Sequence, residues 1–245
     1  LKIKFNSKYT LNKKNKPNGF KMDYSYLNPG FKYDMYIDLT ENEILLEDIN
    51  FRKNKNEKIF LNLSSLQKKN SFQVINLKLY NDKNEISLND IKLTKNYKIA
   101  DFNSVNAKYH NKNDFINDIS ISKKSNHIKI YSNKFDISSI IEKNLKSIDK
   151  NNISNIFQNL NSSVDINIKL ARLDNEHKLK NIIGEASIKN NKLDKINLSA
   201  KFDKKNKFVY TKNEIDGKKV TTIFSDFAKP FVKKYKFIKG FEDGK

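Results

Sequence analysis

The chain has no cysteine. That excludes disulfides, thiolate chemistry and zinc–cysteine sites, and it is compatible with any compartment. Arginine is nearly absent as well: only Arg52 and Arg172 occur, and every other basic residue is lysine. Proteins that read bases or clamp phosphates rely on the bidentate arginine fork, so the formal charge of +20 does not by itself point to nucleic acid. The abundance of lysine, asparagine and isoleucine reads instead as the drift of an AT-rich genome. The lysines are spread along the chain, with modest concentrations from Lys2 to Lys21 and from Lys229 to Lys239. Solvated faces and protected strand edges account for them. The functional alternative is attraction to an anionic surface, with lipid headgroups ahead of DNA.

Glycine and proline are scarce, at six and three in 245 residues. No flexible linker divides the chain, and one continuous body is expected. No apolar run exceeds a few residues, so no segment reads as a membrane-spanning helix. No signal peptide is visible. The first residue is Leu1 rather than Met, and Lys245 follows Gly244 without an obvious stop, so we expect a piece of a longer protein.

What is present is alternation. Val164, Ile166, Ile168 and Leu170 alternate with Asp165, Asn167 and Lys169. The same period runs through Gly184, Ala186 and Ile188, then Ile196, Leu198, Ala200 and Phe202, then Phe208 and Tyr210, then Val220, Thr222 and Phe224. Successive strand side chains point to opposite faces, so each run has one apolar and one polar face. The N-terminal half continues the theme, as in Phe31, Tyr33, Met35, Ile37 and Leu39. It changes phase after Phe72 and Val74, where Ile75, Leu77 and Leu79 follow; that switch predicts a bulge near Val74. Asn190-Asn191 and Asp216-Gly217 suit short hairpins.

Two stretches break the strand period. Ile137, Ile140, Ile141, Leu145 and Ile148 form a helical stripe behind Asp136 as N-cap, and Ile153, Ile156, Phe157 and Leu160 form a shorter one. Phe227, Phe231, Val232, Tyr235 and Ile238 suggest a third, complicated by Pro230. The expected fold is mainly β: a long antiparallel meander forming an open, curved apolar groove, with two or three short amphipathic helices. Residues 1–127 read as a strand-rich segment of it, and residues 128–245 as a strand, helical hairpin, meander and helix.

No catalytic constellation, metal set or cofactor motif is present. His110, His127 and His177 sit in polar surroundings near turns, where exposed surface histidines are the simplest reading. Acidic pairs such as Glu47-Asp48 are adjacent in sequence, which in a strand points them apart.

The order of elements from Ile128 to Lys245, and above all the segment IFSDFAKPFVKKYKFIKGFEDGK, resembles the C-terminal region of the AsmA-like family of bacterial envelope proteins, of the YhdP and TamB type. Family members show a strand, a Ser/Asp turn, a helix and a glycine pair; here Gly240 and Gly244 stand apart. The resemblance implies a periplasmic protein with no catalytic residue, metal or cofactor. It would shield phospholipid acyl chains in a β-groove for transport between the inner and outer membranes, anchored in the inner membrane by a segment outside this sequence. The wall of that groove would comprise Val164, Ile166, Ile168, Leu170, Ile188, Ile196, Leu198 and Phe202. Membranes would be reached through other parts of the parent protein, and nucleic acid would not be a partner. The alternative is a structural or adhesive β-scaffold of the cell envelope, with a closed core and no ligand, since a barrel or sandwich shows the same alternation.

Overall fold

Alternation becomes strand almost wherever it occurs. The computed structural model describes residues 2–9, 18–28, 30–69, 71–140, 156–202, 205–215 and 218–227, and it is mainly β. The chain divides into two compact units, Leu1–Lys124 with Ser154–Asn159, and Ser125–Ile153 with Leu160–Lys245.

The first unit contains β1 (Lys2–Tyr9), β2 (Asn18–Leu27), β3 (Gly30–Asp38), β4 (Ile44–Leu46), β5 (Phe51–Lys53), β6 (Phe60–Lys68), β7 (Ser71–Tyr80), β8 (Glu85–Leu93), β9 (Ile99–Asp101), β10 (Ser104–His110) and β11 (Ile116–Lys124). Its main sheet runs β1-β2-β3-β6-β7-β8-β10-β11, with β9 beside β8; every pairing for which the register is resolved is antiparallel. Strands β4 and β5 form a separate hairpin around a 3-10 turn, Glu47–Ile49, within the insertion between β3 and β6.

The bulge expected near Val74 is present. Ser64 pairs with Asn76 and Ser65 with Val74, so Ile75 is the extra residue. Opposite it, Asp90 takes a positive φ of 51° and accepts a hydrogen bond from Gln73. Aspartate and asparagine tolerate this left-handed backbone better than branched residues do. The two strands therefore change phase together, and Val74, Leu77, Leu88 and Ile91 stay on one face.

The second unit contains β12 (His127–Asp136), β13 (Ser162–Arg172), β14 (Lys178–Lys189), β15 (Lys192–Lys201), β16 (Lys207–Ile215) and β17 (Lys218–Ser225), hydrogen-bonded in that order. Asn190 and Asn191 both have positive φ, 50° and 62°, between the paired Lys189 and Lys192. That is the two-residue hairpin their identity predicts. Within neither unit does the strand order close on itself.

Three expectations need correction. The meander is not antiparallel throughout: β12 and β13 pair in parallel. A parallel pair needs a crossover connection rather than a tight hairpin, and the chain between Asp136 and Ser162 is long enough for one. The helix after Asp136 begins as expected, with Ser138–Ile140 helical and the Ser138 amide donating to Asp136 Oδ1 at 3.0 Å. Its remainder falls outside the described residues, as do Ile153 and the C-terminal helical stripe beyond Phe227. The described part of the second stripe is not helical. Ile156 lies in a turn and Phe157 bridges to Ile99, where the Ile99 amide donates to the Ile156 carbonyl at 2.7 Å. Backbone pairing to β9 replaces the helical bonds that a four-residue apolar stripe suggested. Finally, β17 is in the other phase. Tyr210 pairs with Ile223 and Lys212 with Thr221, so Val220, Thr222 and Phe224 are on the opposite face from Tyr210.

Candidate functional site

Cross-strand register decides which side chains share a face. In the second unit, Ile130, Ile166, Gly184, Leu198, Tyr210 and Ile223 form one row across six strands. The next row runs Ile128, Val164, Ala186, Ile196, Lys212 and Thr221. Ile168 pairs with Ile182 and with Ser132, and Ile188 pairs with Ser162, all in the same phase. Six of the eight residues expected to line a wall thus lie in strands on one face, and Phe202 lies just beyond β15; Leu170 is on the opposite face, because the irregularity at Asn181 pairs it with Lys180, which pairs with Lys201. Burial separates them. Val164, Ile168 and Ile188 are at most 8% exposed, whereas Ile166, Leu170, Ile196, Leu198 and Phe202 are only half-buried. A charge at Ile168 would be a test of folding; a charge at Leu198 tests what touches the face.

Gly184 has a packing role that periodicity does not reveal. A Cβ there would lie 2.0 Å from the Asn197 carbonyl oxygen and 2.7 Å from Leu198 Cδ2. The Leu198 side chain lies over the bare backbone of Gly184. Gly184→Ala is expected to cost roughly 1–3 kcal/mol through displacement of β15, measurable as a drop in the urea midpoint. A variant as stable as the parent would show that the contact is not tight.

One end of this face carries an aromatic cluster. The Phe202 ring meets Phe227 edge-on at 5.4 Å and Phe208 at 6.3 Å, and Phe227 packs on His177 at 5.8 Å. Such pairs add to burial through ring quadrupoles. Asp174 anchors His177: its carboxylate meets Nδ1 at 2.9 Å. Burial would raise the Asp174 carboxyl's affinity for a proton, but hydrogen bonds from the Glu176 and His177 amides and from the His177 ring outweigh it and hold it below the ordinary range. Burial pushes the Tyr210 phenol up.

The first unit carries the same arrangement. Met22, Met35, Leu63, Leu77, Leu88 and Val105 form a row that continues to Ile121, every one half-buried. Beside it run Phe20, Ile37, Leu61, Leu79, Ile86 and Ala107, continuing to Ile119. The insertion of residues 39–59 covers part of this second row: Phe51 and Ile59 are buried with Leu79, Ile86, Ala107 and Tyr109. It is pinned by the Tyr109 hydroxyl, which donates to the Ile49 carbonyl at 2.8 Å, and by the Lys112 amide on the Asn50 carbonyl. Inside it, the ammonium of Lys53, a residue 2% exposed, donates to the carbonyls of Leu39, Thr40 and Asn42 at 2.6–2.8 Å. Burial pushes that lysine below its ordinary pKa, against the opposing pull of Glu57, Asp38 and Glu41. The opposite face of the sheet is mostly polar and cross-linked, for example by Asn76 to Asn89 to Ser104, with the contacting rings of Tyr36, Phe60 and Tyr80 among the polar residues.

The histidines are more engaged than their surroundings in sequence suggest. His127 Nδ1 lies 2.8 Å from Ser163 Oγ and its Nε2 lies 2.9 Å from Asp165 Oδ2. This clip ties β12 to β13 on the polar face. The Nδ1 of His110 is buried.

No family model, curated protein or solved structure matches this chain.

Proposed function

We propose that this chain is part of a bridge-like lipid-transfer protein, its one-sided sheet shielding phospholipid acyl chains on their way between the inner and outer membranes of a diderm bacterium. The observation that carries this reading is the uninterrupted run of half-buried apolar residues from Met22 to Val105 and on to Ile121, perpendicular to the strands, with a matching row through Ile166 and Leu198 in the second unit. A face of that kind must be covered by something apolar. An acyl chain gains about 0.8 kcal/mol per CH₂ buried against it. Transfer then needs no chemistry, only similar affinity from row to row. The periplasmic setting and the inner-membrane anchor rest on the resemblance to the AsmA-like family.

The competing reading is a closed-core β-scaffold without ligand. The part of the first unit already covered by the 39–59 insertion favours it locally.

The two are separated by native mass spectrometry with lipid extraction on chain purified without detergent. The transfer reading expects co-purifying phospholipid that is lost in Leu198→Asp, while that variant keeps the parent's circular dichroism and cooperative unfolding. A well-folded parent of clean apo mass sinks it. So does unfolding of Leu198→Asp, because a charge is ruinous only where the face is already a sealed core.

A further inference from the structure

The turns at the two ends of the first unit's sheet differ in kind. Leu27 pairs with Gly30, Gly30 with Lys68, Lys68 with Ser71, and Phe72 with Leu93, so the β2–β3, β6–β7 and β8–β9 turns share one end. Strands are about 4.8 Å apart, which places the three turns within roughly 20 Å. Lys68, Lys69, Lys95 and Lys98 are exposed there, and residues 27–30, 68–71 and 94–98 include no acid. Asp101, just beyond, is matched by Lys92 and Lys123.

The same end exposes large apolar and amphipathic side chains. Tyr97 is 77% exposed, Tyr26 and Leu27 are each 50% exposed, and Phe31 is 37% exposed. Tyr97 is held at a φ of 57°, an uncommon state for a bulky residue. Its turn is closed by the Thr94 amide on the Lys98 carbonyl and by the Lys98 amide on Thr94 Oγ1. The backbone thus presents an aromatic side chain to solvent at a conformational cost.

The opposite end has a different composition. Glu41, Glu43, Glu47, Asp48 and Glu57 in the insertion, with Asp82 and Asp114 in the turns, offset the bases there.

We propose that the rim formed by the β2–β3, β6–β7 and β8–β9 turns docks on an anionic lipid bilayer, with Leu27, Tyr26 and Tyr97 entering the headgroup region and the four lysines engaging lipid phosphates. Tyrosine suits this boundary because one end of its side chain is apolar and the other polar. Lysine near an anionic leaflet attracts within a Debye length. Charge complementarity and exposed apolar surface coincide at this end and not at the other. The inference stands whether or not the sheet carries lipid.

The test is flotation of the full chain with vesicles of phosphatidylcholine alone or with one third phosphatidylglycerol, in about 0.1 M salt. Binding is expected only to the anionic vesicles. Replacing Lys68, Lys69, Lys95 and Lys98 with glutamine should weaken it on the order of 100-fold. Replacing Lys55, Lys58, Lys83 and Lys112 at the other end removes the same charge and should change it only a few-fold. A Tyr97→Trp variant should show a blue shift on anionic vesicles and quenching by brominated lipid. Equal losses from the two quadruple variants would reduce the effect to overall charge and overturn the proposal. Failure to float together with tight, salt-sensitive binding of single-stranded RNA to the same rim would overturn it in favour of nucleic acid.

Discussion

Replacing Arg172 with methionine is expected to lower the stability of the second unit by about 3–5 kcal/mol, because it leaves a buried carboxylate without its cation. Asp136 and Arg172 are cross-strand partners at the end of the parallel pair β12–β13. Their side chains meet at 3.3 Å, with Asp136 wholly buried and Arg172 only 8% exposed. The adjacent row, on the other face, is tightly packed: Phe135 pairs with Ala171 and Ala171 with Leu179, and these three and Leu173 are at most 5% exposed. Arg172 also donates Nε to the Asp174 carbonyl and a terminal nitrogen to Asn175, so one guanidinium fastens the strand end and the following turn. Only the planar fork serves all three acceptors, which makes lysine a poor substitute. Asp136 in turn accepts from the Ser138 amide, at the start of the helical residues Ser138–Ile140. The double variant Asp136→Asn with Arg172→Met should recover much of the loss, since neither member then leaves a charge behind. Urea unfolding of the two single variants and the double one is the measurement. An Arg172→Met protein as stable as the parent would show that the ion pair does not hold the parallel junction.

The second large effect is expected at Phe51. Its ring is 1% exposed and meets Tyr109 edge-on at 5.7 Å. Phe51→Ala should cost about 3–5 kcal/mol, the lost transfer energy plus the cavity left behind. The loss should be accompanied by greater binding of a hydrophobic dye, because Leu79, Ile86 and Ala107 are the surface that the insertion covers. Lys53 and its three carbonyl partners keep the hairpin compact, so the insertion should detach as a unit rather than fray. A midpoint shift worth less than about 1 kcal/mol with unchanged dye binding would mean that the sheet is covered without it.

Both effects arise where local pattern was a poor guide. Ile44, Ile49, Phe51 and Ile59 show no sustained alternation, and nothing in their spacing indicates that they fold back over β7, β8 and β10. Arg172 follows a strand run that looks like its neighbours, and its partner lies 36 residues earlier. Gly184 reads as a weak member of an apolar phase, yet its missing Cβ is what admits Leu198. The β17 phase departs from the alternation because Val220 and Phe224 are the more hydrophobic residues, while hairpin register from β16 places Thr221 and Ile223 beside Lys212 and Tyr210. The parallel β12–β13 pair depends on where a long crossover returns, which adjacent residues do not encode.

The sequence by itself determined the strands, their two unlike faces, the bulge beside Val74, the Asn190-Asn191 hairpin and the Asp136 cap. Each of these follows from backbone geometry within a few residues: the two-residue pleat, the tolerance of asparagine and aspartate for positive φ, and a carboxylate within reach of an exposed amide. The tertiary structure alone decided that β12 and β13 run parallel, that residues 39–59 cover part of one apolar row and leave the next half-buried, and that Val164, Ile168 and Ile188 are sealed while Ile166 and Leu198 are not. Period two assigns a side chain to a face. What lies against that face is fixed by contacts tens of residues apart, and alternation contains no information about them.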